Sequence, residues 1–374
     1  MIIDEWDAPI REFKSNWQTK QDYLESLRML FKNSGTTSRI FAAAYMTGIL
    51  PIKKDGSQSA ISDFREFSIL DPGEYAEFTG FTEEEVHTLC DTYHMRFEDA
   101  KSWYDEYSFD TVHSVYNPYS IMSAMLTGKF KSYWKKTSAA EALLTYIDMD
   151  EDGLQEDIAR LISGEEIDVD AEGFENDFET FKSRDDVLTL MIHLGYLTYT
   201  EEEHGKGTVR IPNMEIRLEF NRILRKGSHT ELIRLIHESD HLLESTIQGD
   251  SEAVAQAIAR VHDSNCAPQF YNNEQALRAV IRYAYLTCVD QYSRIEELPS
   301  GHEYADIIFI PKKRSFLPAM IIELKWNKTA AGAIAQIKER NYPAALKNFG
   351  SPLLLVGLNY DEKTKIHSCV IEKL

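Results

Sequence analysis

The spacing of apolar residues predicts strands near both ends of the chain and helices between them. At the start, the apolar pair Ile2–Ile3 runs directly into Asp4 and Glu5. Residues 22–32 carry apolar side chains at helical intervals, and the small-residue run at 39–47, which ends before a glycine, is typical of a strand. We therefore expect an α/β arrangement in the N-terminal region.

Two further helix starts are marked by capping residues. Thr82 precedes a run with helical apolar spacing, and Glu85 follows three residues later, which is the pattern of a capping box. Asn117 and Pro118 provide an N-cap side chain and a proline at the first helical position. The N-terminal α/β elements are thus expected to lead into helices that continue to about residue 140.

The middle of the chain has the pattern of a helix followed by a hairpin. A helix is predicted at 185–194, and the strands at 196–199 and 208–211 flank a His-Gly-Lys-Gly turn. This order resembles a winged helix, a shape used for DNA binding and for plain packing. The acidic run Glu201–Glu203 on the wing argues against DNA contact there. More helices are predicted at 215–225, 229–247 and 251–262.

Residues 148–179 contain fourteen acidic residues and a single basic one, Arg160. We interpret this stretch as a solvated connecting segment with a short strand at 165–169. A surface for a basic partner protein is the alternative.

The C-terminal hundred residues have the apolar runs of a mixed sheet. A helix at 274–289 comes first, and another is predicted at 328–340. Strands are predicted at 303–310, 319–326, 352–358 and 366–371, with a short one near 292–296. The expected order is α-β-β-β-α-β-β, with helices packed against the sheet.

Three charged residues interrupt these apolar strands. Asp306 lies in the first long strand, and Glu323 and Lys325 lie in the next one. Burial of a lone charge costs several kcal/mol, so these residues need partners. Because side chains alternate along a strand, Glu323 and Lys325 share a face. If the two strands pair, Asp306 would meet both residues.

Such a group suits the hydrolysis of a phosphodiester. Two carboxylates bind a hard divalent cation such as Mg²⁺ or Mn²⁺. The cation activates a water molecule, and a lysine orients that water and counters the developing charge. A structural ion-pair network within the sheet is the alternative interpretation of the same three residues.

The spacing Asp306-x16-Glu323-x-Lys325 resembles the PD-(D/E)XK nuclease core. The surrounding stretches GHEYADIIFIPK, IIELKW and AIAQIKERNY are similar to the nuclease-like domain of a bacterial family. Its members join this restriction-endonuclease-like domain to an N-terminal AAA-ATPase-like region. Ala305 stands where the superfamily pattern has its proline, a change that the family tolerates.

The resemblance implies roles for individual residues. Asp306 and Glu323 would bind the metal, and Lys325 would serve the water. Glu274, on the first helix, would be an additional carboxylate near the metal, although a first-turn acid also stabilises a helix. Gln336 and Tyr342 would match a Gln…Tyr pair beside the site, although Tyr342 also precedes a proline and would close a helix by packing.

The same family accounts for the opening residues. The stretches IIDEWDAP, YMTGILPIKK, FTEEEV, WYDEYSF and VYNPYS are similar to its ATPase-like region, with Glu106 where the family often has glycine. By this analogy Asp4 would hold the Mg²⁺ of a nucleotide, Glu5 would polarise the attacking water, and Thr47 would be a polar sensor. The sequence contains no Gly-x4-Gly-Lys-Ser/Thr phosphate loop. We therefore expect a family member that lacks its first segment and uses ATP only if that segment is supplied.

Charge and composition limit the partners. The 374 residues carry a net charge of −21, which argues against a chain that coats nucleic acid along its whole surface. Residues 264–374 differ, with 14 Lys+Arg against 11 Asp+Glu, so this third permits approach to a phosphate backbone. We expect nucleic acid, DNA in particular, as its partner.

Four scattered cysteines, no signal peptide and no apolar run of membrane-spanning length favour the cytoplasm and no membrane.

Residues His237 to His241 fit His-Glu-x-x-His, the signature of zinc proteases. Both histidines are predicted on the polar flank of a helix whose apolar face contains Leu232, Ile236 and Leu243. No later residue has the spacing of a third zinc ligand, so we do not interpret the motif as catalytic.

The predicted organisation has three parts. Residues 1–145 are a truncated AAA-ATPase-like region, 146–262 a helical and winged-helix-like region, and 263–374 a PD-(D/E)XK nuclease-like domain. The predicted function is a Mg²⁺- or Mn²⁺-dependent nuclease. The alternatives are an inactive scaffold that binds nucleic acid or protein and, on the histidine motif alone, a zinc protease.

Overall fold

The structure is a computed structural model, and its elements fall into two compact units. It describes residues 1–9, 17–31, 39–49, 64–109, 112–134, 147, 153–172, 174, 183–203, 206–224, 230–265, 274–300, 303–312, 317–340 and 352–374. The first unit comprises Met1–Leu154 and Glu166–Phe220, and the second comprises Gln155–Glu165 and Asn221–Leu374. The three-part division made from the sequence stays a prediction.

The chain begins with a two-stranded parallel ladder. Strand β1 (Ile2–Ile3) pairs with β2 (Tyr45–Met46), and helix α1 (Trp17–Phe31) lies between them in sequence. The strand predicted over residues 39–47 is therefore wrong in extent. The ladder is short because Glu5 has a φ of 51°, a left-handed conformation that ends β1 as an extended segment.

The next part of the first unit is mainly helical. Thr82 and Glu85 form the predicted capping box, and the Asn117 side chain accepts from the backbone N–H groups of Tyr119 and Ser120. The elements are β3 (Phe81–Thr82), α2 (Glu83–Tyr93), α3 (Phe97–Tyr104), β4 (Asp105–Tyr107), β5 (Val115–Tyr116) and α4 (Pro118–Thr127). Both predicted caps are thus confirmed.

The acidic stretch is not a solvated connector, and that part of the prediction is wrong for the residues described there, whereas the short strand predicted at 165–169 is present over Ile167–Asp170. Helix α5 (Leu154–Ile162) buries Leu154, Ile158 and Ile162, and β6 (Ile167–Asp170) buries every second residue. The apolar residues have helical and then strand spacing, and this spacing decides the structure although acidic residues surround it.

The first unit ends in a three-stranded antiparallel sheet of order β6-β8-β7. Helix α6 (Arg184–His193) precedes the hairpin of β7 (Thr198–Glu203) and β8 (Lys206–Arg210), which confirms the predicted helix and hairpin. Helix α7 (Met214–Leu224) follows. The winged-helix assignment stays a prediction.

The second unit contains the predicted mixed sheet, in the order β13-β12-β11-β10-β9. Strands β11 and β12 are parallel, and the other neighbouring pairs are antiparallel. Besides most of α5 and the end of α7, the elements of this unit are α8 (Thr230–Gln248), α9 (Ser251–Asn265), α10 (Glu274–Ala284), β9 (Tyr292–Ser300), β10 (Glu303–Pro311), β11 (Ala319–Trp326), α11 (Ala330–Glu339), β12 (Leu353–Asp361) and β13 (Ile366–Lys373). The predicted strand near 292–296 is thus present and longer than expected.

The two faces of this sheet pack against different helices. Met320, Ile322 and Leu324 of β11 belong to a core shared with α8, α9 and α10. Ile321 belongs to a smaller core shared with α11, on the opposite face. Even and odd positions of β11 therefore have different neighbours, as the alternation of a strand requires.

Among the described residues, no helix has the length and apolar character needed to cross a membrane.

Candidate functional site

Two charged residues of β11 lie side by side in the interior of the second unit. Glu323 and Lys325 occupy odd positions, on the face that packs against α11, and are 1% and 6% exposed. The Lys325 Nζ donates to the Glu323 Oε1 over 3.2 Å. The predicted common face is confirmed, and the ion pair explains how an apolar strand accommodates both charges.

Helix α11 brings two more polar side chains to the same carboxylate. The Gln336 Nε2 donates to the Glu323 Oε1, and the Arg340 Nη1 lies 3.7 Å from it. Asn327, with a φ of 54°, turns the chain after β11, and the Thr329 side chain caps α11 by accepting from the Gly332 N–H. Gln336 and Arg340 are one helical turn apart, so both face the sheet.

Arg340 is the site residue that the sequence analysis missed. Its backbone N–H donates to the Gln336 carbonyl over 3.0 Å, at the C-terminal end of α11. The spacing of four residues from Gln336 was the available signal, because such residues share a helix face.

A glycine on the neighbouring strand allows α11 to approach the site. Gly357 of β12 is paired in register with Glu323. A Cβ atom at Gly357 would overlap with the Ala330 carbonyl oxygen and would lie 3.0 Å from Ile334 Cγ1. The first turn of α11 therefore packs directly on the backbone of β12, which fixes the helix that carries Gln336 and Arg340.

We expect Gly357→Ala to destabilise the second unit by about 1–3 kcal/mol, because the added methyl group forces α11 away from the sheet. Urea unfolding followed by tryptophan fluorescence would measure the change. Gly332→Ala, on the same helix, is the matched control, because alanine favours a helix and only the Thr329 hydroxyl, at 3.0 Å, must move. Equal stability of Gly357→Ala and the wild type would contradict the close packing.

The pairing of β10 with β11 shows where the backbone of Asp306, the second predicted metal ligand, lies relative to Glu323. Ile307 pairs with Ile322 and Ile308 with Ile321, so Asp306 and Glu323 are the next residues along the two antiparallel strands. The strand pairing on which the predicted meeting depends is therefore present. The Asp306 side chain lies outside the described part of the structure, and its meeting with Glu323 and Lys325 stays a prediction.

The structure describes the remaining predicted residues to different extents. Glu274 is the first residue of α10, and its side chain lies outside the described part. Tyr342 lies outside the described residues altogether. Of the two residues predicted to flank the site, Gln336 is thus the one that the structure brings to Glu323.

The types of donor atom at this position suit a hard divalent cation. Glu323 supplies carboxylate oxygens in a buried position, and Asp306 is the second carboxylate in register. Mg²⁺ and Mn²⁺ prefer such oxygen ligands. Among the side chains that the structure describes, no group of three His, Cys, Asp or Glu residues has the arrangement of a metal site.

His262 of α9 and His367 of β13 form a separate pair on the opposite face of the sheet. The His262 Nδ1 and the His367 Nε2 share a hydrogen bond of 2.7 Å beside the Tyr360 ring. Burial and, to a lesser extent, the neighbouring His262 lower the pKa of His367 to about 4. His367 is therefore neutral at pH 7, and a single hydrogen between the two rings satisfies both nitrogens.

The predicted nucleotide residues also come together, within the first unit. The Thr47 hydroxyl donates to the Asp4 Oδ1 and accepts from the Glu5 N–H over 3.3 Å. The parallel pairing of β1 and β2 aligns the two strand ends and so places these residues side by side.

The His-Glu-x-x-His motif lies on α8 as expected. Its apolar face is buried, whereas His237 and His241 are exposed, and the His241 Nδ1 lies 3.3 Å from the Ser245 Oγ. The polar flank predicted from the sequence is confirmed.

Comparison with known proteins identifies the C-terminal region. Residues 272–369 match the family model of the PD-(D/E)XK nuclease superfamily. No curated protein and no solved structure matches the chain significantly. Domains of this superfamily generally act on nucleic acid and use divalent metal ions. Residues 272–369 are thus a PD-(D/E)XK nuclease superfamily domain, and this match suggests a nuclease-like fold for the mixed sheet and its helices.

Proposed function

We propose that the C-terminal domain hydrolyses phosphodiester bonds of nucleic acid, with DNA as the expected substrate. Asp306 and Glu323 would hold Mg²⁺ or Mn²⁺, with Glu274 as an additional carboxylate. The observation that carries the proposal is the buried, adjacent pair of Glu323 and Lys325, with Asp306 next in register on the neighbouring strand.

The chemistry divides between the ion and the side chains of this chain. When bound, the divalent ion would lower the pKa of a water molecule and stabilise negative charge on the phosphate. Lys325 would orient the attacking water through its Nζ and counter the charge that develops. Gln336 holds the Glu323 carboxylate in position through its amide, and Tyr342 is proposed to contact the substrate backbone.

The proposal is tested by incubating linear DNA and RNA with the protein and Mn²⁺ or Mg²⁺. We expect hydrolysis by the wild type and a loss of at least about 100-fold in rate for Asp306→Asn, which keeps the shape of the side chain and removes a metal-binding charge. Glu339→Gln is the matched control, because it removes an exposed carboxylate of α11 outside the site. Intact substrates with both metals would contradict the proposal.

One observation favours a second candidate, an inactive scaffold that binds nucleic acid or protein. Lys325, Gln336 and Arg340 together surround the Glu323 Oε1 with donors, as they would in a purely structural network. Titration with Mn²⁺, followed by electron paramagnetic resonance, separates the two. Catalysis requires Mn²⁺ uptake that Asp306→Asn abolishes, whereas the scaffold takes up none at this position.

For the first unit we propose an AAA-ATPase-like ancestry. The contact of Asp4, Glu5 and Thr47 at the ends of two parallel strands supports it. Asp4 would hold a nucleotide's Mg²⁺ and Glu5 would polarise water, and both roles require a phosphate loop. ATP enters this proposal only as the ligand of such a loop supplied from outside the 374 residues.

The winged-helix-like assignment of residues 146–262 is proposed on the order of α6, β7 and β8.

A further inference from the structure

We infer that Arg340 is a substrate-binding residue whose guanidinium contacts a phosphate group of the nucleic acid beside Glu323. The inference rests on the proposed function and extends it to a residue that the sequence pattern does not mark. It depends on the position of Arg340, its exposure and the charges around Glu323.

Arg340 lies on the outer side of the buried ion pair. Its Nη1 is 3.7 Å from the Glu323 Oε1, whereas the Lys325 Nζ is 3.2 Å from the same oxygen. The Arg340 side chain is 28% exposed, against 2% for Glu323 and 8% for Lys325. Of the two cations beside Glu323, the Arg340 side chain is therefore the one more accessible to a ligand from solvent.

The charges favour an anion at this position. Glu323 already has a nearer cation in Lys325, so Arg340 is a second positive charge on one carboxylate. In the proposed site the carboxylates of Asp306, Glu323 and Glu274, set against Lys325, Arg340 and a divalent ion, would leave a net charge of +1. A phosphodiester supplies the missing negative charge, and a planar guanidinium with five donors matches phosphate oxygens in pairs.

The backbone holds Arg340 at this position. Its N–H closes the last turn of α11 on the Gln336 carbonyl, and Gly357 fixes the first turn of the helix on β12. The same helix carries Lys338, which pairs with Glu372 of β13 and is far more exposed. Lys338 thus provides a cation of the same helix that does not contact Glu323 among the ion pairs described.

The test measures binding rather than turnover. Fluorescence anisotropy of a labelled DNA duplex would be recorded in Ca²⁺, at several salt concentrations, for the wild type, Arg340→Ala, Arg340→Gln, Arg340→Lys and Lys338→Ala. We expect Arg340→Ala and Arg340→Gln to bind the duplex about tenfold more weakly than the wild type. The slope of log K against log salt concentration should become shallower by about 0.9, because one phosphate contact is lost. Arg340→Lys keeps the slope because it keeps the charge, and Lys338→Ala binds like the wild type.

A second measurement separates substrate binding from a structural role. Without nucleic acid, Mn²⁺ is expected to bind Arg340→Gln at least as tightly as the wild type, because a competing cation has been removed. Weaker Mn²⁺ binding with unchanged duplex affinity would make Arg340 only a structural partner of Glu323 and overturn the inference. Arg340→Gln retains the stem as far as Cδ and a polar end group, so it decides the question if the alanine variant does not fold.

The failure of this inference is distinguishable from that of the proposed function. A wild type that hydrolyses DNA while all Arg340 variants bind the duplex normally overturns the inference alone. A wild type with neither metal-dependent binding nor hydrolysis overturns both.

Discussion

Lys325→Met is expected to lower the rate of Mn²⁺-dependent hydrolysis by about 10²–10⁴-fold while the second unit remains folded. The methionine retains the apolar stem of the buried lysine and removes the Nζ that lies 3.2 Å from the Glu323 Oε1. Glu323 keeps Gln336 and Arg340 as neighbours, so the carboxylate stays accommodated. Single-turnover cleavage of a labelled duplex measures the chemical step directly.

Lys328→Met is the matched control for this variant. Lys328 follows the same strand, is exposed, and contacts the sheet through its backbone N–H, which donates to the Asn359 Oδ1 over 2.9 Å. Cleavage by Lys328→Met should equal that of the wild type. Undiminished cleavage by Lys325→Met would remove the lysine from the mechanism.

Glu323→Leu is expected to destabilise the second unit by about 3–5 kcal/mol, because it leaves Lys325 and Arg340 without their shared carboxylate. Lys325 is almost fully buried, so the little water that reaches it only partly replaces the lost partner. Hydrogen–deuterium exchange of β11 peptides would report the loss locally, and urea unfolding would report it for the whole unit.

The double variant Glu323→Leu/Lys325→Met tests the cause of that loss. Apolar replacement of a buried ion pair is often neutral or stabilising, so the double variant should recover at least half of the stability. If the double variant is no more stable than Glu323→Leu, the unpaired lysine does not cause the loss of stability. The cause would then be altered packing of the leucine against α11.

The sequence predicted the second unit well because its signals are local. The bounds of β11 follow from an apolar run between polar loops, and the common face of Glu323 and Lys325 follows from alternation alone. The β10–β11 pairing needed only a short connection between adjacent strands. Gln336 was predicted beside the site from the family resemblance, and its contact with Glu323 agrees with that prediction.

What the sequence did not predict depends on contacts between distant residues or on competing signals. The roles of Arg340 and Gly357 require the distance between α11 and β12, which no single-strand or single-helix pattern contains. The acidic composition of residues 148–179 concealed an apolar spacing that buries α5 and β6. At the N-terminus, the left-handed backbone of Glu5 shortens a ladder that apolar character alone would extend.

The alternation of side chains along β11 limits which insertions and deletions this strand tolerates. Met320, Ile322 and Leu324 face one set of helices, and Ile321, Glu323 and Lys325 face the other. Insertion or deletion of a single residue ahead of Glu323 would exchange the residues on the two faces of β11. The Glu323 carboxylate would then point into the apolar core shared with α8, α9 and α10. Natural or engineered length variants of this strand should therefore retain the chemistry only when residues are gained or lost in pairs.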